Sequence, residues 1–185
     1  MKWSEAVIGN YLSRVVFQRK LVIIPNCMWT GYEADLLAVG RELKLVDIEI
    51  KISRADLKAD AGKDKWWHSK PWALMKPGDW GKQKIRCHRE WPVKVWKHYY
   101  CLPADIWKPE LLASLGSSRS GVITVAMHAS GNFMTHEVVR RAQADREAKA
   151  IDPADAIDLA RLANLRMWDA YAELDRVRAP AAVAA

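Results

Sequence analysis

Glu49 and Lys51, two residues apart in an alternating run, are the side chains of this chain best placed to do chemistry. The run Leu43 to Ser53 puts Val46, Ile48, Ile50 and Ile52 on one side and Asp47, Glu49, Lys51 and Ser53 on the other, as side chains do along a β-strand. About ten residues upstream, Tyr32 to Val39 reads as a second strand with Glu33 and Asp35 on a shared face. Two neighbouring strands thus aim carboxylates and an amine at one place. Covering such a face is costly unless a cation sits on it. Mg²⁺, or Mn²⁺ in its stead, suits the set, because a hard cation takes one or two carboxylates and keeps several waters. A metal held this way lowers the pKa of bound water and clamps phosphate oxygens, the two needs of phosphodiester hydrolysis. Asp35 and Glu49 are the leading ligands, the Ile50 carbonyl can add an oxygen, and Lys51 is placed to orient water or counter growing charge. Glu5, on the first helix beside its buried stripe, is a further candidate acid, although an acid also simply favours a helix start. Asp47 and Glu33 are expected to be solvated or to support the ligands from behind. The competing reading of the whole set is a polar outer face with an exposed, weak ion pair.

Charge adds a second pointer. The net charge is +7, and residues 61–100 alone hold ten Lys/Arg against three acids, so the rest of the chain is neutral. The same stretch carries six of the ten tryptophans. Cations interleaved with flat rings suit a polyanion whose bases can stack, and DNA is the expected partner. Lys63, Lys65, Trp66, Trp67, Lys70, Lys82, Lys84, Arg86 and Arg89 are the candidate contacts. The plain alternatives are core tryptophans under a solvated basic face, or a protein interface.

These residues need elements to hold them. Ser4 caps a helix with its stripe at Val7, Ile8, Tyr11, Leu12, Val15 and Val16, ending near Gln18-Arg19-Lys20. A short β run, Leu21 to Ile24, stops at Pro25-Asn26, and the two acidic strands follow as an antiparallel pair. Ser53-Arg54-Ala55-Asp56 has the form of a capping box, so a helix begins at once and meets Gly62. Prolines break the basic stretch into loops with at most a short helix. A strand at His98 to Leu102, a helix capped by Asp105 through Leu115, and strands at Gly121 to Met127 and Phe133 to Val139 come next. Asp152-Pro153-Ala154-Asp155 opens a last helix, with Leu162, Leu165, Trp168, Tyr171 and Leu174 as its apolar side. The expectation is one α/β domain over 1–178, with a mixed central sheet flanked by helices, a basic Trp-rich insertion at 61–97, a C-terminal helix at 152–178 and a flexible tail at 179–185.

Three cysteines form no disulfide framework, and the chain has neither a membrane-spanning apolar run nor a signal-peptide layout, which favours a cytoplasmic location. Cys87-His88 with His98 and Cys101 matches no familiar zinc spacing, and nothing resembles a nucleophile elbow or a phosphate-cradling loop.

The stretch Glu33-Ala34-Asp35-Leu36-Leu37-Ala38-Val39, followed by Glu49-Ile50-Lys51-Ile52-Ser53-Arg54-Ala55-Asp56-Leu57-Lys58-Ala59-Asp60, resembles the PD-(D/E)XK nuclease superfamily, and within it the MmcB-like DNA-repair and phage branch. The resemblance spans about Glu5 to Ala126. It implies a restriction-endonuclease-like core in which Asp35 and Glu49 hold Mg²⁺, Lys51 assists hydrolysis and Glu5 is a first-helix acid. The proline of the superfamily's name is absent, Ala34 standing before Asp35, and the Trp-rich insertion has no counterpart to transfer contacts from. The expected function is metal-dependent cleavage of DNA in repair, recombination or phage DNA processing. The alternative is a nucleic-acid-binding protein that keeps the fold without cutting. Oligomeric state stays open, a homodimer included.

Overall fold

A computed structural model describes residues 2–69 and 86–178. Six strands pair, in spatial order, as β1 (Val22–Cys27), β2 (Ala34–Val39), β3 (Leu45–Ile50), β6 (Val95–Pro103), β7 (Gly121–Met127) and β8 (Met134–Arg140). The junctions of β3 with β6 and of β6 with β7 are parallel, and the others are antiparallel. Two short strands, β4 (Trp67–Ser69) and β5 (Arg86–His88), form a separate antiparallel ribbon. The helices are α1 (Glu5–Tyr11), α2 (Arg54–Asp60) and α3 (Pro153–Arg178). The expected mixed sheet flanked by helices is therefore present.

Alternation along β3 sorts the core. Val46, Ile48 and Ile50 join Leu36 and Ala38 of β2 under Ile8 and Leu12. On the opposite face, Leu45 meets Leu37, Val39 and Ile24 beneath Ile151 and Leu159, the α3 side. A third cluster on that side gathers Leu57, Trp66, Tyr100, Leu102 and Val122. Every residue of β3 is buried, Asp47 and Glu49 included. A strand with two covered faces needs partners for its charges, and this requirement shapes the site.

Several boundaries differ from the sequence expectation for local reasons. The first α-helix stops at Tyr11 and passes into a π-helical turn, Leu12–Val16, closed by Phe17 N donating to Leu12 O at 2.8 Å. β1 runs through Pro25-Asn26 instead of stopping there, because it is the sheet's edge strand and a proline costs no ladder bond on an outward-facing N–H. β3 begins only at Leu45, since Leu43 takes a positive φ of 53° in the turn. No α-helix follows Asp105; Pro109 holds Lys108 extended, and only a 3₁₀ segment, Pro109–Ser114, forms. The α3 start is as expected, with Asp152 Oδ1 accepting from Ala154 N at 2.8 Å. Its apolar side is so only in part: the N-terminal half seats Leu159 against β1 with Leu162 packed on the same cluster, whereas Leu165, Trp168, Tyr171 and Leu174 are exposed. All three cysteines are free; Cys27 and Cys101 are buried and Cys87 is half-buried in β5. Among the described residues no helix is long and apolar enough to cross a membrane.

A buried ion cluster as the candidate active site

β3 ends at Ile50, and the chain turns through Ser53, whose Oγ accepts from Asp56 N at 3.1 Å and so starts α2. That turn is anchored twice: Lys51 N donates to Cys101 O of β6 at 2.8 Å, and Arg54 Nε donates to Ile106 O at 2.7 Å. α2 thereby doubles back beside the end of β3. Its last residue, Asp60, lies fully buried beside the Lys51 ammonium.

The outcome is a compact set of opposed charges. Lys51 Nζ lies 2.6 Å from Glu49 Oε2 and 3.3 Å from Asp60 Oδ1. Lys65, from the 3₁₀ turn after α2, reaches Glu49 Oε1 at 2.7 Å and Asp47 Oδ2 at 3.8 Å. Lys63 approaches from solvent to within 3.0 Å of Asp60 Oδ1 and 3.3 Å of Glu49 Oε2. Asp60 Oδ2 also accepts from Trp66 Nε1 at 3.0 Å and from the Tyr100 hydroxyl. The Tyr100 oxygen in turn accepts from Gly116 N at 3.1 Å. His98 closes the far side, with Nε2 3.4 Å from Lys65 Nζ and Nδ1 3.0 Å from Ser120 Oγ. An ammonium can only donate, so His98 Nε2 is the acceptor and Nδ1 carries the proton toward Ser120.

Electrostatics follow from this layout. Burial alone would raise the Asp60 and Glu49 carboxyls, but Lys65 and Lys51 reverse that and hold both below their ordinary values. Burial would lower Lys51 and Lys65; the carboxylates around them raise both instead, so each stays an ammonium. His98, enclosed and facing Lys65, is pushed well down and is neutral. Asp47 is pushed up to about 7, by burial first and by Glu49 and Asp60 despite Lys65.

Asp35 stands at the edge of this cluster. β2 and β3 pair Leu36 with Ile48, and one more step of that register sets Asp35 across from Glu49. Asp35 Oδ2 accepts from Ile50 N at 2.6 Å. Burial and the Glu49 charge push its carboxyl up to about 6, against the pull of the Ile50 N–H and Lys51 and with a smaller push from Glu5. Glu5, exposed at the first turn of α1, lines a cavity of about 410 Å³ together with Asp35 and Ile50.

The sequence-derived candidates thus divide. Asp35, Glu49, Lys51, Ile50 and Glu5 are gathered at one end of the sheet. Glu33 is solvated, as expected, but Asp47 is buried and paired. Two proposed DNA contacts are core: Lys65 is 2% exposed and Trp66 0%, because the 3₁₀ turn folds them onto Glu49 and Asp60. Lys63 is half exposed but engaged with the acids, and Trp67, Arg86 and Arg89 line an open cleft. Lys70, Lys82 and Lys84 lie outside the described residues. Sequence reasoning passed over Asp60 and Tyr100 and weighed His98 only as a zinc ligand. Asp60 had a signal: it follows Leu57 by three residues on a helix and so shares the buried face. His98 and Tyr100 become legible only from the parallel pairing that sets them beside Asp47 and Glu49.

Do these residues suit a divalent cation? Asp35 is pushed up by burial first, and the Glu49 and Glu5 carboxylates add a smaller repulsion that a cation would relieve. Glu49 Oε1 touches Lys65 as an ion pair yet accepts no directed hydrogen bond. Among the described residues no three His, Cys, Asp or Glu side chains form a ready-made cage. Two carboxylates and water are what Mg²⁺ takes in nucleotide-handling sites, so the donor set fits.

No family model matches the sequence, and no curated protein is similar to it. The fold is similar to a solved structure described as the SPO1766 protein of unknown function from Silicibacter pomeroyi, with a TM-score of 0.51 and 18% identity over 98% of this chain and 97% of that one. At that identity the likeness is one of fold alone.

Proposed function

We propose that the chain is a metal-dependent deoxyribonuclease with a restriction-endonuclease-like core of the PD-(D/E)XK type. The observation that carries this reading is the pairing of β2 with β3, whose register sets Asp35 opposite Glu49 with the Lys51 ammonium 2.6 Å from Glu49. Mg²⁺ or Mn²⁺ bound there would lower the pKa of a water and neutralise phosphate charge. Asp35 and Glu49 would hold the ion, with the Ile50 carbonyl and Glu5 at the margin. Lys51 is kept protonated by Glu49 and Asp60, so it cannot take a proton from water. Its part is to donate hydrogen bonds to the attacking water or to a phosphate oxygen, which stabilises charge as it grows. The half-exposed Lys63, the most accessible of the three ammonium groups, is free to swing from the acids to an incoming phosphate. DNA repair, recombination or phage DNA processing would be the setting for such an activity.

One observation favours a second reading, a DNA-binding protein that does not cut: both Glu49 oxygens already face lysines. Supercoiled, linear and single-stranded DNA incubated with and without Mg²⁺ or Mn²⁺ separates the two. Cleavage is expected only with metal, and Glu49→Gln and Lys51→Met should each lower it by about 10²-fold or more, with DNA retention intact. Cleavage that survives both substitutions refutes the assignment. Retention without cleavage in the wild type selects the second reading.

A further inference from the structure

Beside the ion cluster lies a cleft of about 810 Å³ lined by Tyr32, Asp64, Trp67, Ser69, Arg86 and Arg89. Its chemistry is unlike that of the cluster. Trp67 is a fixed platform: Nε1 donates to Ala61 O at 3.1 Å, and the His88 ring stands edge-on to it at 5.3 Å. His88 is itself held, its Nε2 lying 2.6 Å from Gly116 O. The Arg86 guanidinium lies over the Trp67 ring, 5.1 Å from its centre, and 2.7 Å from Asp64 Oδ1. Arg86 is 52% and Asp64 85% exposed, so this ion pair contributes little and an incoming anion can displace Asp64 at small cost.

We propose that this cleft receives one unpaired nucleotide of a single DNA strand: the exposed Arg86 swings off the Trp67 ring to the adjoining phosphate, and the base takes its place on the ring. A flat ring beside a guanidinium is the pairing that single-strand binders use, since every base offers a face and every link a phosphate. A duplex hides its base faces in the stack and offers only phosphates, so Trp67 distinguishes the two substrates. Arg89 adds a second cation at the same wall. Trp67 follows Trp66 directly, and the 3₁₀ turn that delivers it also delivers Lys63 and Lys65 to Glu49. A strand seated in the cleft is therefore led to the acids. The inference deepens the nuclease reading and rests on it for what becomes of the bound strand.

The test is fluorescence anisotropy in EDTA with the full chain, using a labelled oligothymidylate and a labelled hairpin duplex of equal phosphate count. Trp67→Ala is expected to weaken single-strand binding by about 5- to 100-fold, the range of one lost base stack, and duplex binding by less than about 3-fold. Arg86→Gln should weaken both. Asp64→Asn leaves the fold untouched at an exposed position and, by freeing Arg86, should tighten binding of both ligands. Equal losses on both ligands for Trp67→Ala, or no tightening of either ligand in Asp64→Asn, would overturn the proposal. Because binding is read without metal, that result leaves the cleavage assay standing; loss of cleavage alone would leave the cleft standing.

Discussion

Replacing Asp60 with asparagine isolates the contribution of the buried charges from that of shape. An amide oxygen in place of Oδ2 keeps the bonds from Tyr100 and Trp66, so the core around it is unchanged in volume. The amide nitrogen then stands where Oδ1 faced Lys51 at 3.3 Å and Lys63 at 3.0 Å, a donor set against two ammonium groups. Lys63 can swing into water; Lys51, 3% exposed, cannot. Lys51 keeps Glu49 at 2.6 Å, so the loss is that of one charge-assisted contact, about 1–3 kcal/mol, which for a chain of this size lowers Tm by roughly 2–12 °C. Urea unfolding at pH 7 measures it, and the double substitution Asp60→Asn with Lys51→Met should recover part of the loss. The pH dependence has a definite sign. A carboxyl held below its unfolded value near 4 contributes fully above that pH and loses its contribution as pH falls further. The gap between wild type and variant should thus be constant from pH 5 upward and narrower at pH 3. A cost under about 1 kcal/mol at pH 7, or a gap unchanged at pH 3, would refute the description of Asp60 as a charge partner.

Asp35→Asn should have the opposite effect on stability. Its carboxyl is raised to about 6, so the wild type loses stability as pH climbs from about 4 through 6. The variant escapes that loss and should be more stable by about 1–3 kcal/mol at pH 8, with no advantage at pH 4, by thermal unfolding, while any metal-dependent cleavage disappears. Gly116→Ala should destabilise the protein by about 1–3 kcal/mol or more, because a Cβ there would stand 2.1 Å from the Trp66 indole and push Nε1 off Asp60; denaturant titration reads the loss.

Legibility in the sequence followed how local each signal is. Ser53 as a cap, Asp152 at the start of α3 and the extent of β7 depend on residues a few positions apart, and the chain displays them openly. The fate of Asp47 and Lys65 does not. Alternation says only that Asp47 and Glu49 share a face; whether water or protein lies over it depends on α2 and the 3₁₀ turn folding back. A lysine in Gly62-Lys63-Asp64-Lys65-Trp66-Trp67 reads as surface by composition, and Lys65 is interior because three acids and a histidine surround its ammonium. The exposed half of α3 fails for the converse reason. Its apolar spacing is helical, but β1 is long enough to cover only the first turns.

Unequal burial of the three thiols equips the protein with a built-in attachment point. Enclosure raises the Cys27 and Cys101 thiols and keeps reagents away from them, whereas Cys87 is partly open and sits across from His68 in the β4–β5 ribbon. A maleimide dye should therefore mount at a single natural position, a strand's width from Trp67, and its emission would report cleft occupancy without any engineered residue.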